Sequence, residues 1–245
     1  MKPGVLILAA LGPLCWPCLS ARAESGADAG RFQPIGIDQK VPAEFPLAPE
    51  VLSYLGGKAV VLVTVDAQGR LADALPVYYT DPAFEQAALT AIGKWSFLPA
   101  RLGGRPIRAT KQIDFNFEHH GWVVVSQNIS ESGDSFFRRH FPSTTTYRAY
   151  GLREIDRKLS VIRLVTPPYT EALARRASGT VTLAYYVDEQ GRVRMPVTVN
   201  DANPELAELA VDAVGQWQFE PPTHDGRRVL VRVCQAIRFN PPADS

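Results

Sequence analysis

The chain has 245 residues, with 26 Lys and Arg against 25 Asp and Glu, which gives a formal net charge of +1 near neutral pH. Lys2 and Arg22 lie in an N-terminal stretch that has no acidic residue, so the chain without this stretch has 24 basic against 25 acidic residues. A balance so close to zero provides no general attraction for nucleic acid or for an anionic membrane surface.

The start of the chain has the pattern of a secretory signal peptide. Lys2 precedes a short apolar run, and Ala21-Arg22-Ala23 provides small residues at the two positions that define a cleavage site. We therefore predict a signal peptide over residues 1–23, cleavage after Ala23, and a mature periplasmic chain that begins at Glu24. The alternative is an uncleaved inner-membrane anchor, since residues 3–21 carry no charge and are about long enough to span a bilayer.

Two of the three cysteines, Cys15 and Cys18, fall within the predicted signal peptide. Maturation therefore leaves only Cys234, and an intrachain disulfide is excluded. An unpaired cysteine in an exported chain either pairs between molecules or serves as a small buried residue. We favour the buried role.

Residues 24–44 are rich in Gly, Ala and polar residues and are predicted to form a flexible lead-in. The rest of the chain contains one module twice. Val65-Asp66-Ala67-Gln68-Gly69-Arg70 recurs 122 positions later as Val187-Asp188-Glu189-Gln190-Gly191-Arg192, and the same offset aligns Trp95-Ser96-Phe97-Leu98-Pro99 with Trp217-Gln218-Phe219-Glu220-Pro221. Two copies at so long a period predict tandem small domains rather than a solenoid.

Module one is placed at residues 45–118 and module two at residues 165–242. Each is predicted to be an α+β domain of the order strand-strand-helix-strand, in which a three-stranded sheet packs on one helix. In module one the elements are Lys58–Val65, Arg70–Tyr79, a helix capped by Asp81 before Pro82, and a strand that ends at Phe117. In module two they are Thr180–Val187, Arg192–Val199, a helix capped by Asn203 before Pro204, and a strand that ends at Phe239. Trp95 and Trp217 end the apolar stripes of the two helices and are predicted to lie in the cores.

The helix that joins the second strand to the third is a crossover, so these two strands should be parallel. The simplest sheet places the first strand between them and leaves the third strand at an edge, with unpaired main-chain groups. Residues 119–164 are predicted to be a linker with one additional strand at 122–125, which turns back at Glu118-His119-His120-Gly121 and covers the edge of module one. Nothing comparable follows module two, so we expect its edge to remain open.

The shared pattern, which is V-D-x-x-G-R at a hairpin and W-x-F-x-P after a capped helix, resembles the TonB C-terminal domain family in both modules. The resemblance implies a periplasmic domain that pairs its last strand with a short segment of an outer-membrane transporter. It also implies a role in energy transduction for the uptake of iron chelates and similar nutrients. A full TonB carries an N-terminal helix with a His and a long Pro-rich spacer, and residues 1–23 contain no His. We therefore interpret the chain as a duplicated receptor-binding end that is exported free.

The sequence gives no reason to expect an enzyme, a cofactor or a metal site. His119 and His120 are adjacent and lack chelating spacing, and His140 and His224 have no Cys or acidic cluster nearby in the sequence. Asp66 and Asp188 each occupy a hairpin turn, where an Asp side chain bonds the backbone.

The candidate partner-binding site is the edge strand of module two. The residues assigned to it are Arg228, Val229, Leu230, Val231, Arg232, Val233 and Arg238. Arg228, Arg232 and Arg238 share the outward parity, so they either form a solvated face or hold an acidic partner segment. The predicted partner is a TonB-dependent transporter of the outer membrane or another periplasmic protein. The alternative is a scaffold protein whose module edges pair with each other or in a homodimer.

Overall fold

The computed structural model describes residues 4–7, 32–46, 56–118, 123–126 and 146–240. Most of the predicted signal peptide, the predicted turn at 119–122 and residues 127–145 of the predicted linker lie outside these ranges. The chain divides into two compact units, Ala23–Arg148 and Met1–Arg22 together with Ala149–Ser245. No helix in the described ranges combines the length and the apolar character that crossing a membrane requires.

The first strand, β1 (Gly4–Ile7), belongs to the unit that contains module two. The elements of the unit that contains module one follow in chain order. They are β2 (Phe32–Gln33), β3 (Gly36–Gln39), β4 (Gly56–Val65), β5 (Leu71–Tyr79), α1 (Pro82–Ile92), β6 (Ser96–Leu98), β7 (Ala100–Leu102), β8 (Arg105–Ile107), β9 (Ala109–Glu118), β10 (Val123–Ser126) and β11 (Tyr147–Arg148).

The remaining elements belong to the unit that contains module two. They are β12 (Tyr150–Gly151), β13 (Val161–Arg163), α2 (Glu171–Ala174), β14 (Gly179–Val187), β15 (Val193–Thr198), α3 (Pro204–Val214), β16 (Gln218–Phe219), β17 (Thr223–His224), β18 (Arg227–Arg228) and β19 (Val231–Asn240).

The main sheet of module one has the strand order β10-β9-β4-β5-β11. β5 and β9 are both antiparallel to β4, so they are parallel to each other, and the first strand of the module lies between them as predicted. β10 pairs antiparallel with β9, from Val123 opposite Phe117 to Ser126 opposite Asp114. The prediction that the segment after module one covers its third strand is therefore confirmed.

The main sheet of module two has the order β1-β19-β14-β15, so the first strand of the module, β14, again lies between the other two. The expectation that the edge of β19 remains open is wrong. β1 pairs antiparallel with Ile237–Asn240, and β12 pairs parallel with Val231–Arg232. Sequence reasoning considered only segments that directly follow the third strand, whereas these two come from elsewhere in the chain and pair with its exposed main-chain groups.

Each module buries its own apolar cluster beneath its helix. The predicted helix caps are confirmed, since the side chain of Asp81 accepts the Ala83 N–H and that of Asn203 accepts the N–H groups of Glu205 and Leu206. Trp95 and Trp217 are both core residues, as predicted.

The two tryptophans also make equivalent hydrogen bonds. The indole N–H of Trp95 donates to the Val41 carbonyl and that of Trp217 to the Val165 carbonyl, each at 2.7 Å. These bonds attach the segment that precedes the first long strand of each module to its core, because a buried indole N–H requires an acceptor.

The structure differs from the predicted lead-in and linker where it describes them. In the lead-in, β2 and β3 pair with β7 and β6, and Ile35 is only 3% exposed. In the linker, β11 pairs with β5, and the rings of Tyr147 and Tyr79 stack at 4.7 Å. Polar composition predicted a flexible lead-in and a linker, but scattered apolar residues anchor the described parts of both to the modules.

Candidate partner-binding edge

The third strand of module two has two unequal sides. On one side β14 pairs with β19 without a register shift, from Gly179 opposite Phe239 to Val187 opposite Val231. On the other side two short strands pair with opposite ends of β19: β12 near its start and β1 at its end. This second side is the edge that was predicted from the sequence to bind a partner segment.

The main-chain groups that face this edge belong to alternate residues. The carbonyl of Leu230 accepts the Tyr150 N–H at 2.8 Å, so Leu230 faces the edge. Main-chain groups of successive strand residues point to opposite sides, and therefore the N–H and C=O of Ala236, Arg238 and Asn240 also face it. Consistently, Thr182, which is opposite Ala236, directs its N–H and C=O away from β19, to Asn200 Oδ1 and the Val199 N–H.

The side chains of the same stretch divide between two faces. Ile237 and Phe239 are fully buried in the core cluster, and the ring of Phe239 packs edge-on against Tyr169 with centroids 5.2 Å apart. Arg238 lies between them on the opposite, exposed face. A strand added here thus has one face toward the core and one face toward a guanidinium group.

Module one has the equivalent edge filled by β10. The offset of 122 residues aligns Phe115 and Phe117 with Ile237 and Phe239. β10 covers β9 from Asp114 to Phe117, and β1 covers β19 from Ile237 to Asn240. Both added strands are antiparallel, and both lie against the same half of the third strand.

The structure divides the predicted site residues into three groups. Arg228 lies in β18, in a separate two-stranded sheet, and Val229 and Leu230, which connect β18 to β19 in the chain, are buried. Val231 and Arg232 pair with β12, and Val233, which follows them, is buried opposite Tyr185 of β14. Of the predicted set only Arg238 lies in the part of the edge that β1 covers.

The site residues assigned from the sequence did not include Ile237 and Phe239, which lie in the part of the edge that pairs with β1. Ile237 and Phe239 are identified as edge residues by the pairing of β1 with β19, and no local sequence pattern predicts this pairing. Cys234 is half-buried rather than fully buried.

The segment that follows β12 is fixed to the hairpin of β17 and β18. The Tyr150 ring lies 4.4 Å from the His224 ring, and Glu154 accepts the Gly151 N–H at 2.7 Å. Asp156 accepts the N–H groups of Asp225 and Gly226 at 2.8 and 3.0 Å, and these bonds, that of Gly226 above all, lower the pKa of its carboxyl group. β12 is therefore held by side-chain contacts as well as by strand pairing.

The same contacts bring Asp156, His224 and Asp225 together, with possible ligand atoms within 4.8 Å of one another. Sequence reasoning treated His224 as isolated and missed Asp156, which is 68 residues away in the chain. Both carboxylate oxygens of Asp156 already accept backbone N–H groups, and the Nδ1 atom of His224 contacts the Glu154 carbonyl. The arrangement works as a structural bracket.

The two hairpin turns repeat one network of hydrogen bonds. In module one, Asp66 Oδ1 accepts the backbone N–H of Gln68 and Arg70, and Oδ2 accepts Arg70 Nε–H. The Arg70 N–H is the largest cause of the lowered pKa of the Asp66 carboxyl. In module two, Asp188 makes the same bonds with Gln190 and Arg192. The interpretation of both aspartates as turn residues is confirmed.

Comparison with known proteins decides the family. The family model described as the C-terminal region of the Gram-negative bacterial TonB protein matches residues 52–119 and again residues 167–241. The chain belongs to the TonB C-terminal domain family. Domains of this family are non-catalytic, and TonB family proteins act in the periplasm.

One curated relative is the Protein TonB of Vibrio cholerae serotype O1, strain ATCC 39315 / El Tor Inaba N16961. It is 29% identical over 104 residues, which cover 40% of this chain and 43% of the relative. The chain thus matches less than half of the length of that protein. No solved structure matches the chain.

Proposed function

We propose that this chain is a non-enzymatic periplasmic interaction protein of TonB-linked transport. Its module two binds a short extended segment of an outer-membrane transporter, which adds as a strand to the side of β19 that β1 occupies in the full chain. The observation that supports this function is the pairing of β1 with Ile237–Asn240. It indicates that this edge accepts a short strand from a distant part of the chain, and main-chain hydrogen bonds of this kind supply affinity in strand addition.

The proposal assigns different roles to the two strands on the edge. If residues 1–23 are removed as a signal peptide, β1 is removed with them. β12 remains, because it lies in the retained part of the chain and is held by the bracket at Asp156. The mature edge is then vacant at Ile237–Asn240, and a transporter segment takes the place of β1.

The direct test is binding of peptides from periplasm-facing segments of TonB-dependent transporters. We compare the full chain with a chain that begins at Glu24, using fluorescence anisotropy. The described residues of both core clusters begin at Ile35, so the shorter chain retains both cores. We expect the shorter chain to bind and the full chain to bind more weakly, because the peptide must displace β1.

A proline substitution tests whether main-chain pairing supplies the affinity. Arg238→Pro removes an N–H that faces the edge, and proline is tolerated where an edge strand directs its N–H away from the sheet. Val231 is less suitable, because its main-chain groups face β14 and a proline there disrupts the sheet itself. Arg238→Ala is the matched control for loss of the side chain.

We expect Arg238→Pro to abolish binding and Arg238→Ala to reduce it only in part, with the circular dichroism spectrum unchanged in both. Equal binding by the two variants would contradict strand addition. The alternative function is that of a scaffold, in which two β19 edges pair in a homodimer. A stable dimer of the chain that begins at Glu24, measured by light scattering, with no affinity for transporter peptides, would support the scaffold instead.

A further inference from the structure

We infer that the segment captured by module two has an acidic residue between two aliphatic residues, and that these three lie opposite Arg238, Phe239 and Ile237. This inference rests on the proposed function and specifies the chemistry of the partner. It follows from the register of the two strands that already occupy equivalent edges, and from the charge on the exposed face of β19.

The edge strands β10 and β1 both place aliphatic residues at the same register positions of the third strand. In module one, Val123 and Val125 occupy the register positions opposite Phe117 and Phe115. In module two, Val5 and Ile7 occupy the positions opposite Phe239 and Ile237. β10 is thus a built-in example of the strand that this edge accommodates.

The positions opposite Phe239 and Ile237 require apolar residues in the partner strand. Residues directly opposite in an antiparallel pair share a face of the sheet. Phe239 and Ile237 are fully buried in the core, so partner residues opposite them extend the same apolar face. A charged residue at either position would lose hydration against this apolar cluster.

The two modules differ at the central position of this edge, between the two buried residues of the third strand. In module one the residue opposite Val124 is Asn116, which is neutral. In module two the equivalent residue is Arg238, which is exposed and lies opposite Leu6 in the register of β1, so β1 leaves this cation without a cross-strand countercharge; Arg232 has the same outward parity on β19. A carboxylate opposite Arg238 gains a favourable cross-strand pair, whereas a second cation is repelled.

β12 also limits the length of the partner strand. It occupies the positions beside Val231 and Arg232. The part of β19 beyond it runs from Val233 to Asn240. The partner therefore enters as a short antiparallel segment that stops before β12.

Three synthetic peptides test the inference against the chain that begins at Glu24. Each has Ser-Gly and Gly-Ser flanks around a central Val-Glu-Val, Val-Lys-Val or Glu-Val-Glu. We expect Val-Glu-Val to bind about two- to tenfold more tightly than Val-Lys-Val, because the favourable pair of Glu with Arg238 and the repulsion of Lys by Arg238 each change the affinity by up to about fivefold. We expect Glu-Val-Glu to bind at least about tenfold more weakly than Val-Glu-Val, because any register loses an apolar contact.

Arg238→Glu should reverse the order of Val-Glu-Val and Val-Lys-Val. Arg227→Glu is the matched control, since Arg227 is also exposed but lies in β18 and should leave the order unchanged. Equal affinity for Val-Glu-Val and Glu-Val-Glu would overturn the apolar positions. An unchanged order in Arg238→Glu would overturn the acidic position.

The outcome for transporter peptides separates this inference from the proposed function. Binding of transporter peptides without a preference among the three synthetic peptides would overturn the inference and leave the proposed function intact. Binding of Val-Glu-Val in the expected order without binding of any transporter peptide would support the edge chemistry and contradict the proposed partner.

Discussion

The two modules fill the same edge with strands that differ in their connection to it. β10 follows β9 after four residues, 119–122, whereas β1 is separated from β19 by residues 8–230. Bringing the ends of a longer connection together costs more conformational entropy. The loop-closure cost for the connection between β1 and β19 exceeds that for the connection between β9 and β10 by on the order of 3 kcal/mol. The edge of module one is thus closed by the segment that directly follows it, while that of module two is closed by a strand from the opposite end of the chain, which our proposal expects a partner segment to displace.

This comparison assigns different roles to two copies of one fold. Both copies keep the same turn network, the same capped helix and the same tryptophan bond. They diverge at the third strand, which is the element that the family resemblance associates with partner binding. We infer that module one is the self-complemented copy and that module two is the copy available to a partner.

The largest expected effect comes from removing residues 1–23. The Arg238 amide then loses its partner strand, and its hydrogen exchange should accelerate by more than one order of magnitude, since exchange reports local opening. The equivalent amide of module one, Asn116, should be unaffected, because β10 is retained. Hydrogen exchange measured by NMR on both chains checks this. Strong protection of Arg238 in the shorter chain would indicate that another segment covers the edge.

The next effect concerns the glycine at each hairpin turn. Gly69 and Gly191 have φ of +82° and +80°. A Cβ at Gly191 would lie 1.9 Å from the Phe219 carbonyl oxygen, and a Cβ at Gly69 would lie 2.7 Å from that of Phe97. We expect Gly191→Ala to destabilise module two by about 2–4 kcal/mol and Gly69→Ala to destabilise module one by about 1–2 kcal/mol.

Urea unfolding, followed by hydrogen exchange mass spectrometry of each module, measures the two losses separately. Equal losses, or a larger one for Gly69→Ala, would show that the turn of module two relaxes without cost. The two turns share their hydrogen bonds and differ in their distance from the strand that follows the helix, β6 in module one and β16 in module two.

Much of the fold was predictable because the same local sequence signals occur at equivalent positions in both copies of the repeat. A turn of the form V-D-x-x-G-R, a helix that begins at Asp81-Pro82 or Asn203-Pro204, and strands of one apolar parity leave few topologies for strand-strand-helix-strand. These are local signals, and the structure confirms the elements they predicted. The resemblance carried by W-x-F-x-P identified the family for the same reason.

The candidate site was less predictable, because its geometry depends on contacts between distant segments. β1 and β12 reach β19 from more than 80 residues away in the chain, and neither has a pattern that specifies its partner. The polar composition of the lead-in gave no indication that Ile35 and Val41 contact the module. Lys111 donates a hydrogen bond to the Ile35 carbonyl and Trp95 donates one to the Val41 carbonyl, and both donors are distant in the chain. Composition predicts flexibility in such segments, while a few buried anchors determine their structure.

The two helix caps should give smaller and nearly equal effects. Asp81 accepts one backbone N–H of its helix, whereas Asn203 accepts two, at 3.0 and 3.3 Å. Replacing either with Ala should cost about 1 kcal/mol, and the loss for Asn203→Ala should be at least as large as that for Asp81→Ala. Urea unfolding checks both values. A negligible effect at one cap would show that packing alone defines the start of that helix.

The smallest effect is a dependence on pH that only module one should show. Asp114 is buried at the position that corresponds to Ala236 in module two, and burial raises the pKa of its carboxyl group, although Lys58 and the Gln112 amide act in the opposite direction. A carboxyl with a raised pKa in the folded state destabilises the fold above that pKa. The penalty is relieved as pH falls through that pKa toward the ordinary value.

Asp114→Asn should therefore stabilise module one near neutral pH, with a gain that disappears in acid. Asp66→Asn is the comparison of opposite sign, because the pKa of Asp66 is lowered and its stabilisation is present above the ordinary value and lost as pH falls. Urea unfolding between about pH 3 and 8 distinguishes the two, since the interval includes the ordinary range of Asp pKa values. A gain for Asp114→Asn that persists in acid would mean that burial of the carboxyl group, charged or neutral, is the cost, and that ionisation contributes nothing to the difference between the modules.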